Sequence, residues 1–328
     1  MRINRKWCGL IFAAVSFSSL PLFVQASDKA AVTLLSTMSS AMQTLNYEGT
    51  FVQVRNGHTD LIHILHAYDE HGKSERMRSL NGEAREVIRN DASVICIWPG
   101  SSDVIVSNSK PRTLQSPLGK TFTENSNYLI EHGGVGRVAG LDADIIDVTP
   151  VDDLRYGYRF WADKDTGMML RAMVLGSDNI PVEELMFTAI EYLDTIDQER
   201  FSVDVDAENI QQVDTETAGA NDSHPVVDKV SFQDLPEGFE ERSETLRMVA
   251  VRKDSPVSHV VVSDGFSIVS VYVEYVARAN HDPSALGSTH MGAVNAYGLS
   301  LPEALVTVVG EVPGKTAEVI ARAARLVN

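Results

Sequence analysis

The stretch 156–175, YGYRFWADKDTGMMLRAMVL, decides the fold. Bulky apolar side chains occupy alternate positions on both sides of a turn sequence at 163–167. They are Tyr156, Tyr158 and Phe160 before the turn and Met168, Leu170 and Ala172 after it. Because side chains alternate between the two faces of a strand, the stretch predicts an antiparallel hairpin with one apolar face. A sheet of this kind needs another element to cover that face.

An amphipathic helix predicted over 27–45 is the candidate cover, with Ser27 or Asp28 as its N-cap. Other β-rich runs, separated by turn residues, predict strands at 47–54, 61–68, 75–80, 85–89, 94–98, 104–107, 143–148 and 182–193. The glycine-rich segment 128–137 is predicted to be a loop or short helix. The sequence therefore predicts an α+β fold, mostly antiparallel β, in which residues 27–209 form an open, unclosed β-barrel covered by helical structure.

A second domain is predicted after a linker at 210–228, where few residues are apolar enough to be buried. It is smaller and β-rich, and it covers 229–328. Its predicted elements are strands at 258–263, 266–276, 291–297 and 305–309 and a terminal helix at 316–326. The dipeptide Asp264-Gly265 between the first two strands is a hairpin signal.

Residues 1–26 have the pattern of a secretory signal peptide. Arg2, Arg5 and Lys6 precede an apolar run, and small residues end the segment at Ala26. We expect the mature chain to begin near Ser27, outside the cytoplasmic membrane of a bacterium. The alternative is a short buried helix at the start of a cytosolic protein.

The chain is acidic, with a formal net charge of −17. Such a chain does not bind nucleic acid through counterion release, and a bare anionic lipid surface repels it. Only Cys96 remains after the predicted signal, so we expect no intramolecular disulfide. Cys96 lies in an apolar predicted strand, which favours a buried, unreactive thiol.

Four histidines, His58, His63, His66 and His71, suggest a metal site by their number alone. On a strand, however, His63 and His66 point to opposite faces, and no cysteine or helical histidine spacing accompanies them. Solvated or interface histidines are the preferred interpretation. The sequence contains no nucleophile elbow and no phosphate loop. We therefore predict no catalytic residue, no metal and no cofactor.

The apolar strand faces predict a lining that shelters acyl chains, although the same side chains would also suit a dry core. The predicted lipid-binding residues are Leu34, Met38, Phe51, Tyr158, Phe160, Met168, Leu170 and Met186. Basic residues of the first half form a second candidate surface, suited to binding phosphates or the acidic groups of a partner. The equal alternative is that these arginines are ordinary solvated side chains on strands.

Several segments, taken in order, resemble the MucB/RseB family of periplasmic regulators of the envelope-stress sigma factor. They are YEGTFV at 47–52, REVIR at 85–89, GRVAG at 136–140, YGYRFW at 156–161, DTG at 165–167, LPEGF at 235–239, SHVVVSDG at 258–265 and VVGEVP at 308–313. The resemblance extends over essentially the whole chain after the predicted signal.

The resemblance implies an N-terminal domain similar to the lipoprotein carriers LolA and LolB, followed by a C-terminal anti-sigma-binding domain. It also implies a periplasmic chain that binds the periplasmic domain of a transmembrane anti-sigma factor of the RseA or MucA type. Binding would shield that factor from regulated proteolysis until a lipid or lipopolysaccharide fragment releases it. The predicted partner contacts are Arg76, Arg78, Arg85, His259, Tyr272 and Glu274. A lipid or lipoprotein carrier of the LolA type is the alternative, and a homo-oligomer is left open.

Overall fold

The computed structural model describes residues 27–70, 72–98, 103–107, 127–202, 210–213, 229–247, 257–274 and 286–327. The predicted signal peptide, His71 and most of the predicted linker lie outside these ranges. Within them, no helix is long and apolar enough to cross a lipid bilayer.

Helix α1, Lys29–Thr44, confirms the predicted amphipathic helix. Asp28 is its N-cap, and its Oδ1 accepts a hydrogen bond of 2.8 Å from the N–H of Ala30. This bond satisfies one of the backbone donors that a helix leaves unpaired at its start. The buried side of α1 includes Leu35 and Met38, both with no exposed surface.

A twelve-stranded sheet follows α1 in the N-terminal half. Its strands are β1 Tyr47–Arg55, β2 His58–Asp69, β3 Gly72–Ser79, β4 Glu86–Asn90, β5 Val94–Trp98, β6 Asp103–Ser107, β7 Tyr128–Val138, β8 Leu141–Pro150, β9 Gly157–Asp163, β10 Met169–Leu175, β11 Pro181–Tyr192 and β12 Ile210–Val213. A short 3₁₀ helix, Gln198–Phe201, lies between the last two. The spatial order is β12-β6-β5-β4-β3-β2-β1-β11-β10-β9-β8-β7, so the described sheet is open, with β12 and β7 as its edges.

The sheet curls around α1. The helix contacts β2 as well as β7, β8 and β10, strands that lie far apart in the spatial order. All neighbouring strands are antiparallel except β12, which pairs in parallel with β6. These observations confirm an open, mostly antiparallel sheet whose apolar face is covered by helix α1. Strand β12 occupies the start of the segment predicted to be a linker.

The prediction of a loop or short helix at 128–137 is wrong, because this segment is strand β7. A bulge between His132 and Gly134 accommodates the extra glycine, and Gly134 has φ +104°. A Cβ at Gly136 would approach the ring of Trp161 within 3.0 Å. The glycines therefore permit close packing within the sheet and do not mark a break in it.

The predicted alternation of inward and outward side chains also fails at one point of the hairpin at 156–175. The pairing of β9 with β10 is irregular between Met169 and Arg171. As a result the consecutive side chains of Met168, Met169 and Leu170 are all buried.

The C-terminal half contains a six-stranded sheet and a two-stranded sheet. The elements are β13 Lys229–Phe232, β14 Glu240–Arg247, β15 Val257–Ser263, β16 Ile268–Glu274, β17 Gly287–Met291, β18 Val294–Ser300, β19 Leu305–Gly310, α2 Gly314–Ala323 and β20 Ala324–Val327. The larger sheet has the order β14-β15-β16-β19-β18-β17, and β13 pairs with β20. Helix α2 packs on β17, β18 and β19 over a valine-rich core.

Two predictions for this half need correction. The single strand predicted at 291–297 is divided by a turn, because Gly292 adopts φ +62° between β17 and β18. The terminal helix ends at Ala323 and not at 326, because the next four residues pair with β13. The hairpin around Asp264-Gly265 is confirmed as β15 and β16.

Candidate ligand cavity and domain interface

An apolar cavity of about 140 Å³ lies on the inner face of the large sheet. Five methionines and six aromatic residues line it. Two of the lining residues, Phe266 and Glu311, come from the C-terminal half. The cavity is therefore bounded by both halves of the chain. Its methionine-rich wall is adaptable, because methionine side chains are flexible and polarisable.

Four of the predicted lipid-binding residues line this cavity and four do not. Phe51, Tyr158, Phe160 and Met168 are in its wall. The others pack elsewhere: Met38 and Leu170 are fully buried in the core, whereas Leu34 and Met186 are partly buried against it. That any of the eight binds lipid stays a prediction.

The list of predicted lipid-binding residues omits several wall residues. Met77, Met173 and Phe187 also line the cavity. The cluster of methionines at 168–173 was the available signal, but strand alternation alone did not identify which of them face inward.

A row of polar side chains crosses four strands, and the residues at its two ends, Tyr47 and Arg89, line the cavity. Tyr47, His66, Glu75 and Arg89 are successive register partners on β1, β2, β3 and β4, and all four are buried. The Tyr47 and His66 rings are stacked 5.0 Å apart, and Arg89 Nε donates to a carboxylate oxygen of Glu75. Arg89 lines the cavity, and its positive charge is neutralised by the ion pair with Glu75.

His66 is fully buried, so the prediction of solvated histidines is wrong at this position. Its Nδ1 lies 2.7 Å from the carbonyl oxygen of Leu45, and its Nε2 lies 3.7 Å from Oε1 of Glu75. Burial lowers the pKa of His66, which favours the neutral ring. His63, by contrast, lies near the surface, with its Nε2 3.1 Å from Oε1 of Glu48.

Carboxylates gather at one end of the cavity. Gln53 Nε2 donates to Glu183 Oε1 at 2.5 Å, and Arg171 Nε lies 2.8 Å from Oε1 of Glu184. Burial, and next to it the charge of Glu183, raises the pKa of Glu311. Glu183 and Glu311 are contributed by different halves of the chain, so this end of the cavity lies at the contact between the two halves.

A buried ionic network joins the two halves. Arg155 and Asp264 are 1% and 3% exposed, and Arg155 Nε donates to Asp264 Oδ2 at 2.9 Å. Tyr128 donates its hydroxyl to the same oxygen at 2.8 Å. The other guanidinium nitrogens of Arg155 donate to the Asp152 carboxylate and to the Glu237 carbonyl. The guanidinium therefore contacts groups of both halves at once.

Asp264 has a second role, because its Oδ1 accepts the backbone N–H groups of Phe266 at 3.0 Å and Ser267 at 2.7 Å. These bonds fix the turn between β15 and β16 and aim Phe266 into the N-terminal half. There its ring lies 4.4 Å from the ring of Tyr128 and 5.8 Å from that of Tyr158. Phe266 thus belongs to the core of the N-terminal half.

Further hydrogen bonds extend this interface. Asn295 Nδ2 donates to the Tyr156 hydroxyl at 3.0 Å, and Thr316 Oγ1 donates to the Leu154 carbonyl at 2.7 Å. The sequence reasoning identified Asp264 only as a turn residue and did not pair it with Arg155. No local signal joins two residues that are 109 positions apart.

The predicted partner residues lie on two separate sheets. Arg76 pairs with Glu86, and together with Arg78 it lines a polar surface depression of about 200 Å³. Arg78 and Arg85 are exposed. On the smaller sheet, His259 is 1% exposed and stacks on Tyr272 at 4.5 Å, and Glu274 is half-buried. The buried ring of His259 is not presented on the surface.

Other residues that the sequence singled out have plain structural surroundings. Cys96 is half-buried rather than buried, and burial still raises the pKa of its thiol, which disfavours the reactive thiolate. Within the part of the chain that the structure describes, no three histidine, cysteine or acidic side chains are grouped as metal ligands.

Comparisons with known proteins find matches to both halves of the chain. The family models for the MucB/RseB N-terminal domain and C-terminal domain match residues 30–205 and 227–325. The chain is 29% identical over 298 residues to the "Sigma factor AlgU regulatory protein MucB" of Pseudomonas aeruginosa, covering 89% of each protein. It is 26% identical over 304 residues to the "Sigma-E factor regulatory protein RseB" of Escherichia coli K12, covering 88% of each.

The solved structures agree. A crystal structure of MucB in complex with MucA(peri) matches with a TM-score of 0.68 and 27% identity, covering 91% of this chain and 99% of that one. The structure of a Pseudomonas aeruginosa MucA/MucB complex matches with a TM-score of 0.67 and 25% identity, covering 91% of this chain and 99% of that one. The matches span both halves, and the chain therefore belongs to the MucB/RseB family.

Proposed function

We propose that this chain is a periplasmic negative regulator of an envelope-stress sigma factor. It binds the periplasmic domain of a membrane anti-sigma factor of the MucA or RseA type and shields it from regulated proteolysis. The observation that carries the proposal is the likeness, over both halves, to a MucB chain bound to MucA(peri). The curated relatives, which are named as sigma factor regulatory proteins, support it further.

A binding role also suits the chemistry of the cavity. Its wall is mainly apolar, and the buried charge of Arg89 in that wall is paired with Glu75. Burial keeps the pKa of the Tyr47 and Tyr158 hydroxyls above their ordinary value, so neither is activated as a base or nucleophile near neutral pH. We therefore propose a non-enzymatic protein.

The regulator is switched by an amphipathic lipid. A ligand in the cavity contacts residues of both halves, because Phe266 and Glu311 are part of its wall. Displacing Phe266 would disturb the turn that Asp264 fixes beside Arg155. A lipid releases the anti-sigma factor only if it binds the released arrangement of the two halves more tightly than the bound one.

Protease protection tests the regulatory function. Purified chain from residue 27 onward is mixed with the periplasmic domain of the organism's own anti-sigma factor, and the protease that makes the first cut is added. We expect the half-life of the anti-sigma domain to lengthen with increasing chain concentration. A half-life that stays unchanged when the chain is in excess would contradict the function.

Adding lipopolysaccharide fragments to the same reaction tests the switch. We expect cleavage to be restored in proportion to the lipid bound. Protection that persists at saturating lipid would leave the regulatory function intact and would refute the switching.

Exposed arginines of the N-terminal half are the proposed partner contacts that a matched pair of variants can test. Arg78→Glu and Arg85→Glu are expected to weaken binding of the anti-sigma domain about tenfold or more, by placing like charges where acids of the partner are bound. Arg137→Glu is the control, because Arg137 is also exposed but lies on β7, at the opposite end of the sheet order. Equal losses of affinity in all three variants would contradict the assignment.

A lipid or lipoprotein carrier is the second candidate, and the apolar cavity favours it. A pull-down from envelope extract separates the two functions: an anti-sigma factor among the bound proteins supports regulation. A spread of lipoproteins without any anti-sigma factor supports the carrier.

A further inference from the structure

We infer that the cavity binds the anionic head group of an amphiphile at Arg89, and that uptake of a proton by the buried His66 strengthens this binding. The inference rests on the proposed lipid-binding function and concerns the regulation of the same cavity. The head group is of the phosphate or sulfonate class, and the chain of the amphiphile lies against the methionine and aromatic wall.

The two ring nitrogens of His66 have different roles. Nδ1 lies 2.7 Å from the carbonyl oxygen of Leu45. A carbonyl oxygen only accepts, so Nδ1 carries the proton of the neutral ring. Nε2 is buried without a hydrogen-bond partner among the described residues, and it lies 3.7 Å from Oε1 of Glu75. A further proton therefore binds at Nε2, which faces the Glu75 carboxylate.

Glu75 lies between His66 and Arg89. Its Oε2 accepts a hydrogen bond from Nε of Arg89, and its Oε1 faces His66. The side chains of His66 and Glu75 have no exposed surface, whereas Arg89 lines the cavity. One buried carboxylate is thus shared by a permanent cation in the cavity wall and a ring that becomes a cation when it takes up a proton.

The net charge of this row depends on His66. With a neutral ring, Glu75 and Arg89 cancel each other. The charged groups that act on the ring are Glu75 and Lys73 of β3 and Arg89 of β4, and the ring of Tyr47 on β1 stacks on it. Burial is the main cause that lowers the pKa of His66; Lys73 and Arg89 also lower it, and Glu75 opposes them. A protonated ring leaves one carboxylate for two buried cations.

An anion beside Arg89 supplies the negative charge that the protonated row lacks. Buried charges are costly unless they are paired, so the proton and the anion stabilise each other's binding. This coupling is reciprocal: the proton raises the affinity for the anion, and the anion raises the affinity of His66 for the proton. At higher pH, Glu75 already neutralises Arg89, and an anionic head group gains little there.

Displacement of a fluorophore measures the head-group preference at two pH values. The chain from residue 27 onward is loaded with N-phenyl-1-naphthylamine at pH 7.5 and at pH 5.5, in 150 mM salt to screen long-range attraction. Dodecanesulfonate, which stays anionic at both pH values, and dodecanol displace it below their micelle concentrations. We expect the affinity for the sulfonate relative to dodecanol to rise at least threefold at pH 5.5. Methanesulfonate, which has no chain, is expected to displace nothing.

Three variants assign this rise to the row. His66→Gln is expected to abolish it. His63→Gln is the matched control and is expected to retain it, because His63 lies on the same strand but beside Glu48 at the surface. Glu75→Gln removes the charge that neutralises Arg89, so its sulfonate preference at pH 7.5 is expected to exceed that of the wild type at least threefold.

NMR titration of the histidine rings tests the reciprocal effect without a change in the row. In the wild-type chain, saturating dodecanesulfonate is expected to raise the pKa of the signal that is missing in His66→Gln. Dodecanol is expected to leave this pKa unchanged.

The possible failures are distinguishable. A sulfonate preference that does not change with pH, that changes equally in His66→Gln, or that is accompanied by an unmoved His66 signal overturns the inference while lipid binding stands. Displacement by methanesulfonate as strong as by dodecanesulfonate overturns the amphiphile as ligand. A fluorophore that neither dodecanesulfonate nor dodecanol displaces overturns both the inference and the proposed lipid function.

Discussion

Replacing Arg155 by methionine is expected to uncouple the two halves of the protein. The methionine keeps much of the length of the arginine side chain but removes the guanidinium. The hydrogen bonds of Arg155 to Asp264, to Asp152 and to the carbonyl of Glu237 are then lost. The carboxylate of Asp264 stays at the interface, where its side chain has no exposed surface.

The size of the effect follows from that burial. Removing one partner of a buried ion pair costs about 3–5 kcal/mol, because the other charge is left uncompensated. Asp264 retains the Tyr128 hydroxyl at 2.8 Å and the N–H groups of Phe266 and Ser267. These three hydrogen bonds soften the loss, so we expect the free energy of unfolding to fall by about 3 kcal/mol, the lower end of that range.

Urea unfolding followed by two signals measures both stability and coupling. The tryptophans are Trp7, Trp98 and Trp161, so fluorescence reports on the N-terminal half, whereas far-ultraviolet circular dichroism reports on both halves. In the wild-type chain we expect the two transitions to coincide, because Phe266 belongs to the N-terminal core. In Arg155→Met we expect them to separate.

Arg159→Met is the matched control. Arg159 pairs with Asp147 at 2.5 Å, but its side chain is 45% exposed, and such surface pairs contribute about 0–1 kcal/mol. The assigned role of Arg155 is refuted if Arg155→Met lowers the free energy of unfolding no more than this control does. It is equally refuted if the two transitions of Arg155→Met still coincide.

Three further predictions address the core, a turn and pH. Phe266→Ala is expected to lower the free energy of unfolding by about 3–5 kcal/mol and to increase binding of an apolar fluorophore, and a loss below about 1 kcal/mol would contradict its core position. Gly238 has φ +80° and a Cβ there would clash with Asn127, whereas Gly82 has φ +70° and no atom within 4 Å of such a Cβ. Gly238→Ala is therefore expected to lower the free energy of unfolding by at least about 1 kcal/mol more than Gly82→Ala does. Equal losses in urea unfolding would exclude the steric cause. Burial lowers the pKa of His66 in the folded protein below the unfolded value of 6.5. The contribution of the neutral ring to folding stability is therefore complete above pH 6.5, and it is lost as the pH falls from 6.5 through the lowered pKa. Between pH 7.5 and 5.5 the wild type should therefore lose more stability than His66→Gln, and equal losses would contradict this.

The elements that could be predicted are those whose signal is local. Helix α1 follows from its apolar period and the N-cap Asp28, and the β15–β16 hairpin follows from Asp264-Gly265. Strand β7 could not be predicted, because its glycines are explained by a bulge and by the approach of the Trp161 ring. Neither feature exists until neighbouring strands have paired.

The candidate cavity was predictable only in part, for a related reason. Strand alternation placed Phe51, Tyr158 and Phe160 on the inner face, and the structure finds them in the cavity wall. Alternation does not distinguish a residue that lines a cavity from one that packs beneath the helix, as Met38 does. That distinction depends on how closely α1 approaches each part of the sheet.

By itself, the sequence determined the kind of protein: an acidic chain with an apolar sheet face, one covering helix, a second β-rich half and the ordered motifs of its family. Periodicity and motif order are properties of the chain, so they survive without coordinates. Only the tertiary structure joined Arg155 to Asp264 and His66 to Glu75. Whether a titratable side chain is paired or neutral depends on its burial and on partners distant in sequence, and both are decided when the sheets pack.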